Sequence, residues 1–224
     1  MPLHSLQRLA PTAVLGLWHL TETPAELWPL LPCADAYEPL LPATADIARQ
    51  AQWLAGRALI HRLAQEVLPP DAPAFTVRND ATGRPHLVGG GQGAVVSLSH
   101  SGAWVAAVLA QAGRVGVDVE MIRDKAQRLA SKFLAPAEWE AAQQAPDASA
   151  HYTLLWSAKE TLYKLAAQRG IIFRNQLLLG AFIPEAMGEI PATLLLNGAG
   201  TRHRICYSQP APGYVLTYCH EPAG

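Results

Sequence analysis

Asp118 and Glu120 stand two residues apart in the run Gly116-Val117-Asp118-Val119-Glu120. In an extended strand, side chains at i and i+2 point to the same side, so both acids share one face while Val117 and Val119 take the other. About forty positions later, Trp156-Ser157-Ala158-Lys159-Glu160-Thr161-Leu162-Tyr163-Lys164 has the look of a helix in which Glu160 and Lys164 are i and i+4 neighbours. Three carboxylates and one ammonium on two elements can hold a divalent cation, with the amine close to a phosphate that the cation binds; Mg2+ takes few protein oxygens and keeps room for water and substrate. Each pattern also has a plainer use. An Asp-x-Glu suits a solvated strand face, and Glu four residues before Lys is a favoured surface ion pair worth about 0.2–0.5 kcal/mol. Ser99-His100-Ser101 offers hydroxyl and imidazole groups for half a nucleophilic pair, for holding a phosphate, or for capping a turn. Its flanking apolar runs read as a hairpin, not as the strand-to-helix elbow that a nucleophilic serine needs.

These groups need elements to position them. Residues 14–20 have strand character, and Pro24, Pro29, Pro32, Pro39 and Pro42 then rule out a long helix and predict short helical turns and loop. Residues 44–68 predict an amphipathic helix, with Ile47, Ala51, Leu54, Ala58, Leu59, Leu63 and Val67 at three- and four-residue steps and Pro69-Pro70 as its stop. A turn cluster covers residues 79–85. Gly89-Gly90-Gly91-Gln92-Gly93 reads as a flexible hairpin tip, since a phosphate-cradling loop requires a strand before it and a helix after it. Residues 94–98 and 104–109 form two strand candidates joined by residues 99–103, and the strand holding Asp118 follows. Helices are predicted over residues 123–132, 136–144 and 152–168, and a last hairpin over 205–218 turns at Pro210-Ala211-Pro212-Gly213. Trp53-Leu54-Ala55-Gly56-Arg57-Ala58-Leu59 can be laid over residues 156–162, matching Trp, Ala and Leu and placing Arg57 where Glu160 sits. Each of those helices is followed by a hairpin, which predicts two similar halves, 1–115 and 116–224.

Composition narrows the classes. Half of the 224 residues are apolar and 16% are charged, which is a folded chain and not a disordered one. A formal charge of −1 with scattered Lys and Arg lacks the electrostatic footprint of a duplex nucleic-acid binder. Cys33, Cys206 and Cys219 fall in no CxxC spacing, which argues against a disulfide framework or zinc site and for buried thiols in a reducing compartment. The apolar stretch at residues 12–20 is too short to span a bilayer and lacks the basic start and cleavage site of a signal peptide, so the expectation is a cytoplasmic protein with no membrane contact.

Taken together, these residues resemble the phosphopantetheinyl transferases, specifically the two-halved, surfactin-synthetase-activating type. That family is marked by a Gly-hydrophobic-Asp-hydrophobic-Glu strand and a Trp-Ser/Thr-x-Lys-Glu-Ser/Ala-x-x-Lys helix, and this paired signature is highly specific. Gly83-Arg84-Pro85 is similar to its Gly-Lys-Pro turn, Ser97-Leu98-Ser99-His100-Ser101 to its Asn-x-Ser-His-Ser segment, and Phe133-Leu134 with Glu138 to its Phe-Phe-Ser-x-x-Glu stretch. The resemblance runs from about Arg49 to Lys164. It implies an α+β fold of two similar halves related by pseudo-two-fold symmetry, with the active site in the cleft between them, and a monomer. It implies Mg2+-dependent transfer of 4′-phosphopantetheine from coenzyme A to a serine of an apo acyl or peptidyl carrier protein of fatty acid, polyketide or nonribosomal peptide synthesis, releasing 3′,5′-adenosine bisphosphate. Asp118, Glu120 and Glu160 match the family's metal positions. Arg57, Arg84, Ser99, His100 and Lys164 match positions that hold the coenzyme, and the resemblance implies Glu160 and Lys164 as the catalytic pair. Thr161 stands where Ser or Ala is usual, Arg84 replaces Lys, and Ser97 replaces Asn.

Two other functions fit parts of the pattern. A Mg2+-dependent nucleotide pyrophosphohydrolase would use the same carboxylates, and product analysis separates it from a transferase. A non-catalytic carrier-protein or coenzyme-binding module is the other; the presence of Asp118, Glu120, Glu160 and Lys164 together argues against it.

Overall fold

The computed structural model describes residues 3–42, 44–91 and 93–223. The chain divides into two compact units, Met1–Val115 with His220–Gly224, and Gly116–Cys219. Each is a mixed α/β body with an apolar core of its own.

The first unit holds strands β1 (Leu3–Ala10) and β2 (Ala13–His19), helices α1 (Pro24–Leu27) and α2 (Ile47–Val67), and strands β3 (Phe75–Asn79), β4 (Pro85–Gly89), β5 (Val95–Ser101) and β6 (Trp104–Ala110). Strand β7 (Arg114–Met121) starts in it and continues into the second unit. An antiparallel sheet runs in the order β1-β2-β6-β5, and β6 is buried at every residue. Helix α2 begins where the Asp46 carboxylate accepts the backbone N–H of Arg49 at 2.7 Å, and stops at Leu68, whose backbone is extended ahead of Pro69. It packs closely on β2, because Gly16 leaves the space that a Cβ would fill 2.7 Å from Leu63 and 2.8 Å from Leu59.

The expectation of an amphipathic α2 holds only at its ends. From Leu54 to His61 every residue is buried. The reason is the proline-rich segment, whose Leu27, Leu31 and Tyr37 join the same core. The buried Tyr37 hydroxyl is hydrogen-bonded to His61 Nε2 at 2.7 Å and accepts the N–H of Val77 at 2.8 Å. Burial pushes His61 down to about 4, so its imidazole is neutral near pH 7. The glycine-rich run is not a hairpin tip. It carries the chain from β4, already paired with β3, to β5, which pairs with β6; its Gln92 lies outside the described residues.

The second unit contains helices α3 (Asp124–Phe133), α4 (Pro136–Gln143), α5 (Ala148–Ala166) and α6 (Phe173–Gln176), and strands β8 (Leu177–Leu179), β9 (Met187–Leu196), β10 (Ala199–Ser208) and β11 (Tyr214–Glu221), the last ending in the first unit. Its sheet order is β7-β11-β10-β9-β8. Helix α5 starts four residues before the predicted position, where the Asp147 carboxylate accepts the N–H of Ala150 at 3.0 Å, and ends on Ala167 in the left-handed region, φ 55°.

Two devices seat α5 on the sheet. Gly116 of β7 lies so near the helix backbone that a Cβ there would stand 2.2 Å from the Thr161 carbonyl oxygen. The buried hydroxyls of Ser157, Thr161 and Thr217 form a closed set: the Thr217 hydroxyl is 2.9 Å from that of Ser157 and 2.7 Å from that of Thr161, which also donates to the Thr217 carbonyl at 3.1 Å. Thr161, one of the three departures from the pattern that the sequence resembles, is thus a fastener between α5 and β11.

Cys219 is buried and Cys206 half-buried, but Cys33 is exposed, against the expectation of three buried thiols. It stands at φ 58° at the head of a surface helical turn in the proline-rich segment. Among the described residues no helix is long and apolar enough to cross a membrane.

Candidate functional site

Four of the sequence-derived site residues meet in the second unit. Asp118, 4% exposed, and Glu120, half-buried, lie on β7; Glu160 and Lys164 lie one turn apart on α5. Lys164 does not serve Glu160 as a simple surface partner. Its ammonium reaches the strand, donating to Asp118 Oδ1 and to the Val117 carbonyl, both at 2.8 Å. The close seating at Gly116 is what brings the ammonium within reach.

Glu160 is therefore left in a crowd of negative charge. Burial pushes its carboxyl up to about 7, and the Asp118 charge adds to this; Lys164 pulls the other way and Glu120 raises it a little further. A carboxyl that titrates near neutrality can both accept and release a proton at physiological pH.

Glu120 is held from the side. The Trp156 indole N–H donates to Glu120 Oε1 at 3.1 Å. Trp156 belongs to the helix motif, but the sequence alone assigns it no contact. Lys159 is likewise part of the motif, and it is fully buried. Its ammonium forms a 2.6 Å ion pair with Glu138 and donates to the carbonyls of Phe133 at 2.8 Å and Phe173 at 3.3 Å. The partnership of Lys159 with Glu138 is not legible in the sequence, because 21 positions separate them and they stand on two different helices, α5 and α4.

A hard cation is the implied guest of this site. Among the described residues no three acidic, histidine or cysteine side chains stand close enough to form a metal shell. The donor chemistry fits nevertheless. The carboxylate oxygens are hard ligands, and Asp118 and Glu120 both place negative charge on a half-buried Glu160 that has one ammonium to set against it, a balance that a divalent ion would restore.

The other predicted residues lie in the first unit. Arg57 is 3% exposed. Its guanidinium donates to Asn79 Oδ1 at 2.9 Å and to the Trp53 carbonyl at 3.3 Å, and its central carbon lies 3.8 Å from the centre of the Trp53 ring. Burial lowers it to about 10, so it remains charged at neutral pH. Asn79 ends β3, and the turn beyond it is built by the Asp80 carboxylate, which accepts from Thr82 N at 2.7 Å and from Arg84 N at 3.0 Å. Arg84 is half-buried at the end of that turn. Ser99 and His100 are not in a turn, as expected, but in strand β5, paired with Ala106 and Val105; only Gly102 and Ala103 make the hairpin's loop. Gly102 adopts φ 56°, so two residues suffice.

Residues 114–219 match the family described as the 4′-phosphopantetheinyl transferase superfamily. Two curated relatives, the 4′-phosphopantetheinyl transferase AcpT of Salmonella typhimurium (strain LT2) and that of Salmonella typhi, are each 33% identical over 127 residues, covering 54% of this chain. The match spans 60% of the length of those relatives.

Proposed function

We propose that this chain, whose residues 114–219 match the 4′-phosphopantetheinyl transferase superfamily, moves the 4′-phosphopantetheine arm of coenzyme A onto a serine of an apo acyl or peptidyl carrier protein. The observation that carries the proposal is the meeting of β7 and α5, where the Lys164 ammonium lies 2.8 Å from Asp118 Oδ1 on the turn that also carries the half-buried Glu160 carboxyl.

In this reading Asp118, Glu120 and Glu160 hold Mg2+, which when bound neutralises charge on the coenzyme pyrophosphate. Glu160 takes the proton from the carrier serine as its oxygen bonds to the β-phosphorus of the coenzyme. The bond from that phosphorus to the bridging oxygen breaks, and 3′,5′-adenosine bisphosphate leaves with the bridging oxygen and its electron pair. Lys164 stabilises the charge on the leaving phosphate. Arg84, Ser99 and His100 of the first unit are read as groups for the coenzyme's adenine and phosphates, with Arg57 as the buried charge behind the Arg84 turn. The reading includes a cytoplasmic monomer with two pseudo-two-fold related halves, 1–115 and 116–224. It draws support from the long helix and antiparallel hairpin found within each unit.

The test incubates the protein with coenzyme A, Mg2+ and a panel of apo carriers and weighs the products. A carrier that gains one phosphopantetheine, with stoichiometric 3′,5′-adenosine bisphosphate, is the expected result. Coenzyme A cleaved with no carrier modified would assign the site to a pyrophosphohydrolase instead.

A further inference from the structure

Trp156 and Lys159 lie on the α5 turn that carries Glu160, yet the transfer chemistry uses neither. Their contacts form one continuous set. The Phe133 ring meets the Trp156 indole edge-on, with centroids 5.1 Å apart and planes at 77°; Phe173 stacks on it at 5.7 Å and 26°. The two carbonyls that Lys159 holds belong to these same two phenylalanines. An ammonium has three donors, and here each has an acceptor: the two carbonyls and Glu138 Oε2. Glu138 is in turn fixed by the N–H of Ala135 on Oε2 and of Leu179 on Oε1, both at 2.7 Å.

A buried ion pair of this kind is a poor source of stability, because desolvating both charges costs about as much as their attraction returns. What it does supply is geometry. One buried ammonium sets the separation of the two aromatic walls between which the indole sits, and the indole N–H ends on the carboxylate of Glu120.

We infer that Trp156 is a positioning residue that aims the Glu120 carboxylate at the cation site, with Phe133, Phe173 and the Glu138–Lys159 pair holding the indole in its plane. The inference rests on the proposed metal-binding reading. Ligating carboxylates are commonly oriented by outer hydrogen bonds, whose loss lowers metal affinity about tenfold or more.

The experiment uses the full chain labelled with 5-fluorotryptophan, with coenzyme A present and Mn2+ as the probe ion. The Trp156 fluorine resonance is assigned by its loss in Trp156→Phe, which keeps an aromatic ring in the slot but removes the donor. That resonance should shift in Glu120→Gln and in Lys159→Met, and Mn2+ should broaden it. The Mn2+ dissociation constant, read from water-proton relaxation, should rise about tenfold in Trp156→Phe. The double variant Trp156→Phe/Glu120→Gln should bind no more weakly than Glu120→Gln alone, since both changes act through one carboxylate. A Trp156 resonance indifferent to Glu120→Gln, unchanged Mn2+ affinity in Trp156→Phe, or fully additive losses would each overturn the inference. Wild-type protein that binds no Mn2+ would instead remove the metal reading, and the fluorine shift on Glu120→Gln would then decide the positioning contact by itself.

Discussion

At the scale of single residues, the site turns on a carboxyl that is costly to ionise. Glu160 titrates near 7 in the fold against an ordinary value of 4.5, so between those limits the folded state keeps a proton that the unfolded chain releases. The stability this provides is fully present below about 4.5 and is lost as pH rises through 7. Glu160→Gln, which imitates the protonated form, should therefore melt higher than wild type at pH 8 in chelator, and the gap should close by pH 4.5; thermal melts at the two pH values check this. The Asp118 charge is, after burial, the largest influence raising Glu160. Asp118→Asn should accordingly lower the Glu160 titration, visible by carbon-13 NMR of side-chain carboxyls in labelled protein. Removing the ammonium with Lys164→Met should raise it.

At the scale of elements, the register between β7 and α5 is what assembles the four groups, and it depends on one missing Cβ. Gly116→Ala would place a methyl 2.2 Å from the Thr161 carbonyl oxygen, with rigid backbone on both sides. The helix must move away, at a cost of about 1–3 kcal/mol or more, which the denaturation midpoint would report. Lys164 should then lose Asp118. Helix α3 carries a separate expectation. Ala126, Ala130 and Phe133 face the core, while Lys125, Arg128 and Lys132 are exposed together. If carriers dock by their acidic surface, Arg128→Glu with Lys132→Glu should raise KM for the carrier and flatten its salt dependence, with KM for coenzyme A unchanged.

Much of this second unit was legible because its signals are local. Alternation placed Asp118 and Glu120 on one face, and helical spacing paired Glu160 with Lys164. What stayed hidden depends on distant packing. That Lys164 chooses Asp118, that Lys159 is buried against Glu138, and that Ser99 and His100 sit in a strand instead of a turn all follow from neighbours far along the chain. The all-round burial of the middle of α2, Leu54 to His61, needs the proline-rich segment, whose composition says only that it is not a long helix. Strands β1 and β9 carry a weak sequence signal, because their exposed positions dilute the alternation on which a strand assignment rests.

At the scale of the whole molecule, two groups shifted by burial, one in each unit, respond to acid with opposite signs. His61, in the first, titrates near 4 against an ordinary 6.5, so stability there is present above 6.5 and lost as pH falls from 6.5 towards 4. Glu160, in the second, contributes the reverse. Lowering pH from 7 to 5 should weaken hydrogen-exchange protection around α2, after correction for the intrinsic exchange rate, whereas in α5 the protonation of Glu160 is opposed by the buried His151, whose imidazole is held below its ordinary value by burial. In the proposed function, the Asp118–Glu160–Lys164 constellation of the second unit carries phosphopantetheine transfer. Its most direct test is the mass of an apo carrier after incubation with coenzyme A, Mg2+ and either wild type or Asp118→Ala, with circular dichroism confirming that the variant is folded. Wild type should add one phosphopantetheine and Asp118→Ala none. Equal modification of the carrier by both proteins would contradict that assignment.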